Sequence, residues 1–247
     1  MHGPDTRSAV LALLADGCTT AAVSRELGVA RSTIRSWRDD RLAVSRAACW
    51  RCGDGDVPGE AYAALLGFYL GDGYLARVRG LPVLRVSCDP TYPLVVEDVR
   101  ELVRRVRPSG HTYLTHPLGT VVVHSGWKHW VCLFPQHGPG RKHERHLDFH
   151  DWQRQIVECW PEALLRGLFH SDGSRVNNWA TRKVAGEQKR YEYPRWQFVN
   201  HSEQIRDICA DALDLVGVPY RRSSWKTISV STRSGVARLD HLIGPKS

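Results

Sequence analysis

Two aspartates with matching surroundings are the residues best placed to do chemistry. Asp72 closes the stretch Leu65-Leu66-Gly67-Phe68-Tyr69-Leu70-Gly71-Asp72-Gly73, and Asp172 closes Leu165-Arg166-Gly167-Leu168-Phe169-His170-Ser171-Asp172-Gly173, 100 residues later. Each stretch reads as the end of an apolar helix, with Gly73 and Gly173 expected as following residues of positive φ. Small residues recur at i and i+4, Gly67 with Gly71 and Gly167 with Ser171, which makes a bare stripe on one helix face. A glycine inside a helix costs about 1 kcal/mol against alanine. Close backbone contact between the two helices is the compensating reason. A carboxylate at a helix C-terminus is disfavoured by about 0.3–1 kcal/mol, and packed stripes would also bring the two carboxylates together. A divalent cation relieves both problems, and hard cations such as Mg²⁺ choose carboxylate oxygens and water. Two carboxylates holding metal beside a phosphate form a phosphodiester-cleaving arrangement.

The elements needed to position these acids can be read along the chain. Helices are expected over 5–17, with Val10, Leu11, Leu13 and Leu14 inward, over 20–27 with Thr19 or Thr20 as cap, and over 31–39 with Ile34 and Trp37 inward. This is the pattern of a helix-turn-helix unit. The outward Arg31, Ser32, Thr33, Arg35, Ser36 and Arg38 are placed to reach bases and phosphates in a major groove. A linker follows at 46–58 and contains Cys49-Trp50-Arg51-Cys52. That spacing suits half of a structural zinc site completed from elsewhere, for example by His137, His143 or His146, or else two reduced thiols in a turn.

The first repeat, 59–134, reads as a motif helix 59–71, strands 74–79 and 82–88, a helix 93–106 with Leu94 and five further apolar residues inward, strands 111–115 and 119–124, and a short helix 127–134 that includes Val131. A Pro-, Gly- and charge-rich stretch, 135–150, joins the halves, either along a phosphate backbone or as a solvated connector. The second repeat, 151–247, reads as helices 151–159 and 162–172, strands 174–180 and 191–200, a helix 203–216, strands 219–224 and 227–232, and a helix 234–243. Thr181 to Arg190 is read as a long basic hairpin tip that reaches toward nucleic acid. Each half is therefore α-β-β-α-β-β-α.

The two glycine-and-acid motifs resemble the signature of LAGLIDADG homing endonucleases, and the chain resembles a single-chain, two-motif member over 59–247. The N-terminal unit, 1–45, resembles the small helix-turn-helix units of resolvases and transposase-like proteins. The endonuclease resemblance implies an α+β fold of two half-domains related by a pseudo-twofold, with the motif helices at the centre and two saddle-shaped antiparallel sheets lying on double-stranded DNA. It implies Mg²⁺, for which Mn²⁺ can substitute, held by Asp72 and Asp172 with help from the Gly71 and Ser171 carbonyls. It places Gln197 and Lys226 near the metals as catalytic side chains. Arg85 holds a strand position comparable to Gln197, and Thr120 rather than a lysine stands roughly where Lys226 does. Outward Arg77, Arg79, Arg85, Arg175, Arg182, Lys183, Lys189, Arg190 and Arg195 would meet DNA. The expected activity is site-specific cleavage of double-stranded DNA by a monomer. The alternative is a DNA-binding regulator that keeps the fold and does not cut.

Composition agrees with this frame. The 247 residues suffice for one large domain and a small one, and a net charge of +8 with pI near 9.3 favours a polyanionic partner. No apolar run reaches the 18 residues of a membrane span. The opening Met-His-Gly-Pro-Asp lacks the features of a signal peptide, and seven scattered cysteines do not form a secreted disulfide framework, so a reducing cytosol is expected. P-loop and dinucleotide-binding fingerprints are absent from the sequence.

Overall fold

The computed structural model describes residues 4–39, 49–52, 56–107 and 110–246. Residues 46–48 and 53–55 of the expected linker, and 40–45 of the N-terminal unit before it, lie outside the described residues. The chain forms two compact units, Met1–Asp56 and Val57–Ser247.

The first unit holds α1 (Pro4–Ala15), α2 (Thr20–Leu27) and α3 (Arg31–Arg38). Thr19 caps α2 by accepting the Ala22 N–H at 3.2 Å, and Gly28 ends it with φ of 64°. Val10, Val23, Val29, Ile34 and Trp37 form the core, with Leu13, Leu14, Cys18 and Leu27 packed against it. Leu11, expected inward, is exposed.

The second unit is α+β, with two four-stranded antiparallel sheets of identical strand order. Its first half runs α4 (Gly59–Leu70), β1 (Gly73–Val78), β2 (Leu81–Cys88), α5 (Pro93–Val106), β3 (Tyr113–Thr115), β4 (Val121–Gly126) and α6 (Trp130–Leu133). Its second half runs α7 (Asp151–Cys159), α8 (Pro161–Asp172), β5 (Gly173–Val184), β6 (Glu187–Val199), α9 (Glu203–Leu215), β7 (Arg221–Ser224), β8 (Thr227–Val230) and α10 (Arg233–Ile243). The sheets are ordered β1-β2-β4-β3 and β5-β6-β8-β7. Every residue of α4 from Ala61 to Leu70 is buried, as expected of a helix apolar on all sides. Pro93 opens α5 at a position where its missing N–H costs nothing. Ser202 and Thr232 cap α9 and α10. Leu94 and Val131, assigned inward from periodicity, are exposed; Leu94 stands at the second position of α5, and α6 is a single turn.

Two expectations need correcting. Gly73 and Gly173 do not adopt positive φ; Gly173 has φ of −93°. They open β1 and β5, and a Cβ at either would collide with backbone of the helix just left, Tyr69 or Phe169. Close approach, not handedness, requires glycine there. The strands expected at 174–180 and 191–200 also run on through the hairpin tip between them, Thr181 to Arg190. β5 and β6 pair without interruption from Gly173↔Phe198 to Val184↔Glu187. A two-residue turn at Ala185 and Gly186, with φ of 53° and 90°, closes them.

Candidate functional site

The site begins with the contact between α4 and α8. A Cβ at Gly67 would lie 2.8 Å from the Leu168 nitrogen and 2.9 Å from the Gly167 Cα. A Cβ at Gly167 would lie 2.7 Å from the Phe68 nitrogen and 2.9 Å from the Gly67 Cα. The bare stripes thus meet backbone to backbone, reciprocally. One turn further on, a Cβ at Gly71 would strike the Ser171 side chain and lie 3.4 Å from the Asp172 Cγ. The helix pair therefore delivers Asp72 and Asp172 side by side.

Both aspartates line a cavity of 510 Å³ together with Lys142, His137, Asn200 and His201. Asp72 as a residue keeps surface in contact with solvent although its carboxyl is turned among protein groups, and Asp172 is half-buried. Removal from water raises the Asp72 carboxyl to about 6, and the neighbouring Asp172 charge pushes in the same direction; Lys142 and Lys246 oppose both. Asp172 is also raised by desolvation, against a hydrogen bond from Asn200 and the same two lysines.

Those lysines had no motif to reveal them. The Lys142 ammonium donates to the Tyr69 carbonyl at 2.8 Å, to that of Leu70 at 2.7 Å, to that of Gly71, and to that of Gly73 at 3.0 Å. The Lys246 ammonium donates to the Ser171 carbonyl at 3.0 Å and to that of Gly173 at 2.8 Å. Corresponding positions of the two motifs are thus capped in the same way, at helix ends whose last carbonyls lack partners. Burial pulls Lys142 down to about 8 against the carboxylates that hold it charged. The only trace in the sequence is spacing: Lys142 follows Asp72 by 70 residues and Lys246 follows Asp172 by 74.

The strands add an asymmetry. Ladder register makes Arg85 and Gln197 equivalent, because each faces the residue two beyond its motif aspartate, Tyr74 or Ser174. By the same register Lys226 corresponds to Val121, not to Thr120. Neither Gln197 nor Lys226 is among the residues that line the cavity. Lys226 lies in the β7–β8 turn, with its ammonium 5.8 Å from the Trp225 ring centroid. The polar group that reaches Asp172 is Asn200, whose Nδ2 donates to Oδ2 at 2.6 Å. Its equivalent beside Asp72 is Cys88, a thiol that burial and the Asp72 charge hold at about 12.

The residues assigned to DNA fall into two groups. Arg175 is engaged by Asp240 through both carboxylate oxygens, and Arg195 donates to the Ser223 and Ser229 hydroxyls. Arg77 donates weakly to the Gly80 carbonyl, Arg79 sits in the β1–β2 turn with φ of 49°, and Arg85 reaches the Tyr74 hydroxyl at 3.4 Å. On the β5–β6 hairpin, Arg182 lies directly opposite Lys189, and Lys183 and Arg190 flank them. Arg190 stacks on Trp179 at 5.0 Å and pairs with Glu192. In the first unit, Arg31, Ser32, Arg35 and Arg38 are exposed on α3 and Thr33 is partly so.

Cys49 is buried and Cys52 exposed, in a turn where the Cys52 N–H donates to the Cys49 carbonyl at 3.0 Å. The histidines suggested as further zinc ligands are used otherwise. His137 and His143 line the aspartate cavity, and His146 sits 2.5 Å from Asp148. No described helix is long and apolar enough to cross a membrane.

Comparison with solved structures shows where this fold recurs. Mesophilic variants of the homing endonuclease I-DmoI align with a TM-score of 0.51 and 12% identity, covering 76% of this chain and 91% of that one. I-DmoI in complex with DNA and Mn aligns at 0.50 with 11% identity, covering 76% of this chain and 98% of the other. The N-terminal LAGLIDADG domain of DUF199/WhiA aligns at 0.48 with 13% identity, over 76% and 83%. No protein-family model and no curated protein matches the sequence. At these identities the likeness is one of fold.

Proposed function

We propose that the chain binds double-stranded DNA across the two sheets and cuts it by phosphodiester hydrolysis at Asp72 and Asp172, with Mg²⁺ or Mn²⁺. The observation that carries this reading is the glycine-to-glycine helix contact that sets two carboxylates side by side at one cavity. Bringing like charges together where desolvation already disfavours both is costly. A cation-dependent role gives that cost a purpose. The donor set fits the metal: two carboxylates and the carbonyls of Gly71 and Ser171 are all oxygen, as Mg²⁺ requires. When bound, such a metal activates water and neutralises charge on the scissile phosphate.

The protein's own residues have distinct tasks in this reading. Asp72 and Asp172 would hold the metal, and Asn200 fixes one Asp172 oxygen by donating to it at 2.6 Å. The β5–β6 hairpin supplies phosphate contacts. Its ladder sets Arg182 opposite Lys189, a cross-strand like-charge pair that is destabilising alone and is relieved by a polyanion. The two halves are related by a pseudo-twofold but are unlike in detail: Arg85 answers Gln197, and Cys88 answers Asn200. A non-palindromic site follows from that inequality. The N-terminal helices act as a helix-turn-helix that presents Arg31, Ser32, Thr33, Arg35 and Arg38 to DNA. I-DmoI, of the same fold, is described in complex with DNA and Mn.

A second reading, a DNA-binding regulator that does not cut, is favoured by one observation: the Gly71 and Ser171 carbonyls are already occupied by lysine ammonium groups. Selection of cleaved sites from a randomised DNA library in Mg²⁺ separates the two. Recovery of a defined cut site supports the nuclease. Enrichment of bound, uncut sequence supports the regulator.

A further inference from the structure

The lysine caps bear on how a metal could enter the site, an inference that rests on the nuclease reading and deepens it. The Lys142 ammonium has three N–H groups and four carbonyl oxygens around it, from Tyr69, Leu70, Gly71 and Gly73. Crowding of that kind is what an ion receives from a coordinating cradle, not what a single hydrogen bond needs. Lys246 meets Ser171 and Gly173, the same two motif positions in the second copy. Each ammonium also lies over an aromatic face, that of Lys142 at 5.8 Å from the Tyr69 ring centroid and that of Lys246 at 5.2 Å from that of Tyr92. Both lysines come from segments outside the strands and long helices. Lys142 opens a single 3₁₀ turn in the inter-repeat stretch, and Lys246 lies three residues beyond the end of α10.

The charge balance matters as much as the geometry. Two carboxylates and the negative ends of two helix dipoles face two ammonium groups. The two ammonium groups thus cancel the two carboxylates without any metal and leave only the helix ends, about −0.5 charge each, unbalanced. A hydrated Mg²⁺ gives up its water reluctantly. It would have to enter a site whose carboxylate charge is already balanced and whose carbonyl donors are taken.

We propose that Lys142 and Lys246 are built-in cations that occupy the carbonyl cradles of the two motifs, so that a divalent metal binds only by displacing an ammonium. In the resting protein the lysines lock both helix ends. DNA phosphates offer those ammonium groups an alternative partner, and release of the cradles onto DNA would couple metal loading to target binding.

The test is Mn²⁺ binding to the full chain without DNA, followed by electron paramagnetic resonance and by calorimetry. The variants are Lys142→Met, Lys246→Met and the pair. Wild type is expected to bind Mn²⁺ weakly. Each single variant should bind at least three-fold tighter, and the pair at least ten-fold. Asp72→Asn added to the pair should abolish the gain, which places the metal at this site. Mn²⁺ should also restore thermal stability that Lys142→Met loses. If Lys142→Met does not fold, Lys246→Met alone carries the test. Lysine variants that bind Mn²⁺ no tighter than wild type, or a wild type that binds it as tightly as they do, overturn the proposal. Cleavage is scored separately. A protein that cuts DNA while its lysine variants gain no Mn²⁺ keeps the nuclease reading and loses this one. A protein that never cuts, but whose variants gain Mn²⁺, does the reverse.

Discussion

Replacing Gly67 by alanine sets helix propensity against packing, with opposite signs. Propensity alone says that removing a glycine from the middle of α4 stabilises the protein by about 1 kcal/mol, and the stiffer unfolded chain adds to the gain. Packing says otherwise. The new methyl would lie 2.8 Å from the Leu168 nitrogen and 2.9 Å from the Gly167 Cα, where ordinary contact begins at 3.4 Å. Both obstacles are backbone, so no side chain can turn away, and the helices must separate by roughly half an ångström or more. Overpacking of a core costs about 1–3 kcal/mol and occasionally more. Two rigid backbones facing each other put this case at or above the upper end. The expected net effect is a loss of about 2 kcal/mol, which for a unit of this size is a fall of roughly 4–8 °C in Tm. Scanning calorimetry of the full-length protein reads it directly. Because Gly71 and Asp172 lie one turn further along the same contact, DNA cutting should fall together with Tm. A Gly67→Ala protein as stable as wild type, or more so, refutes the backbone contact as the organiser of the site.

Three further outcomes are expected. His170 is almost fully buried, its Nδ1 has no partner among the described residues, and burial holds it down from 6.5 to about 4. The unfolded chain then binds a proton that the native state refuses, so stability is present above pH 6.5 and is lost as pH falls toward 4, by up to about 3 kcal/mol at about 1.4 kcal/mol per pH unit. Asp72, raised to about 6, acts in the opposite sense over that range. The His170→Gln variant should therefore lose less stability than wild type between pH 7 and pH 4, and parallel curves would count against the assignment. Elemental analysis should find about one zinc per chain, which Cys49→Ser with Cys52→Ser removes, and a wild type without zinc leaves Cys49 and Cys52 as two reduced thiols in a turn. Deleting residues 1–45 should weaken DNA binding and flatten its dependence on salt, and an unchanged affinity with an unchanged slope speaks against a helix-turn-helix role.

The motif helices are legible in the sequence because their signal is local. Glycine at i and i+4 has no reason to exist except backbone contact, and the repeat after 100 residues supplies the partner. The order of strands and helices is legible for the same kind of reason, since periodicity and turn residues are set by neighbours in the chain. Gly73 and Gly173 show the limit of that logic: Asp-Gly after a helix suggests a left-handed turn, but the collision that demands glycine is visible only once the strand doubles back on its helix. The charged stretch from Thr181 to Arg190 is left out of the expected strands because its composition is polar, and pairing along the whole hairpin overrides composition. Asn200 reaches Asp172 from just beyond the end of β6, where no strand periodicity marks it in the sequence. Lys142 and Lys246 were invisible because loop and tail residues carry no periodicity, and only folding brings them to the helix ends.

The central claim is that Asp72 and Asp172 act together on DNA, and its most direct measurement is strand cutting at a selected site by wild type, Asp72→Asn and Asp172→Asn. The assay runs in Mg²⁺, with Ca²⁺ as the binding-only control. Each amide keeps the shape of the side chain and removes the charge that a metal needs. The expected result is cutting of both strands by wild type, loss of cutting by orders of magnitude in each variant, and site binding within a few-fold of wild type throughout. A wild type that binds the site tightly yet leaves both strands whole in Mg²⁺ and Mn²⁺, or variants that cut as fast as wild type, would contradict it.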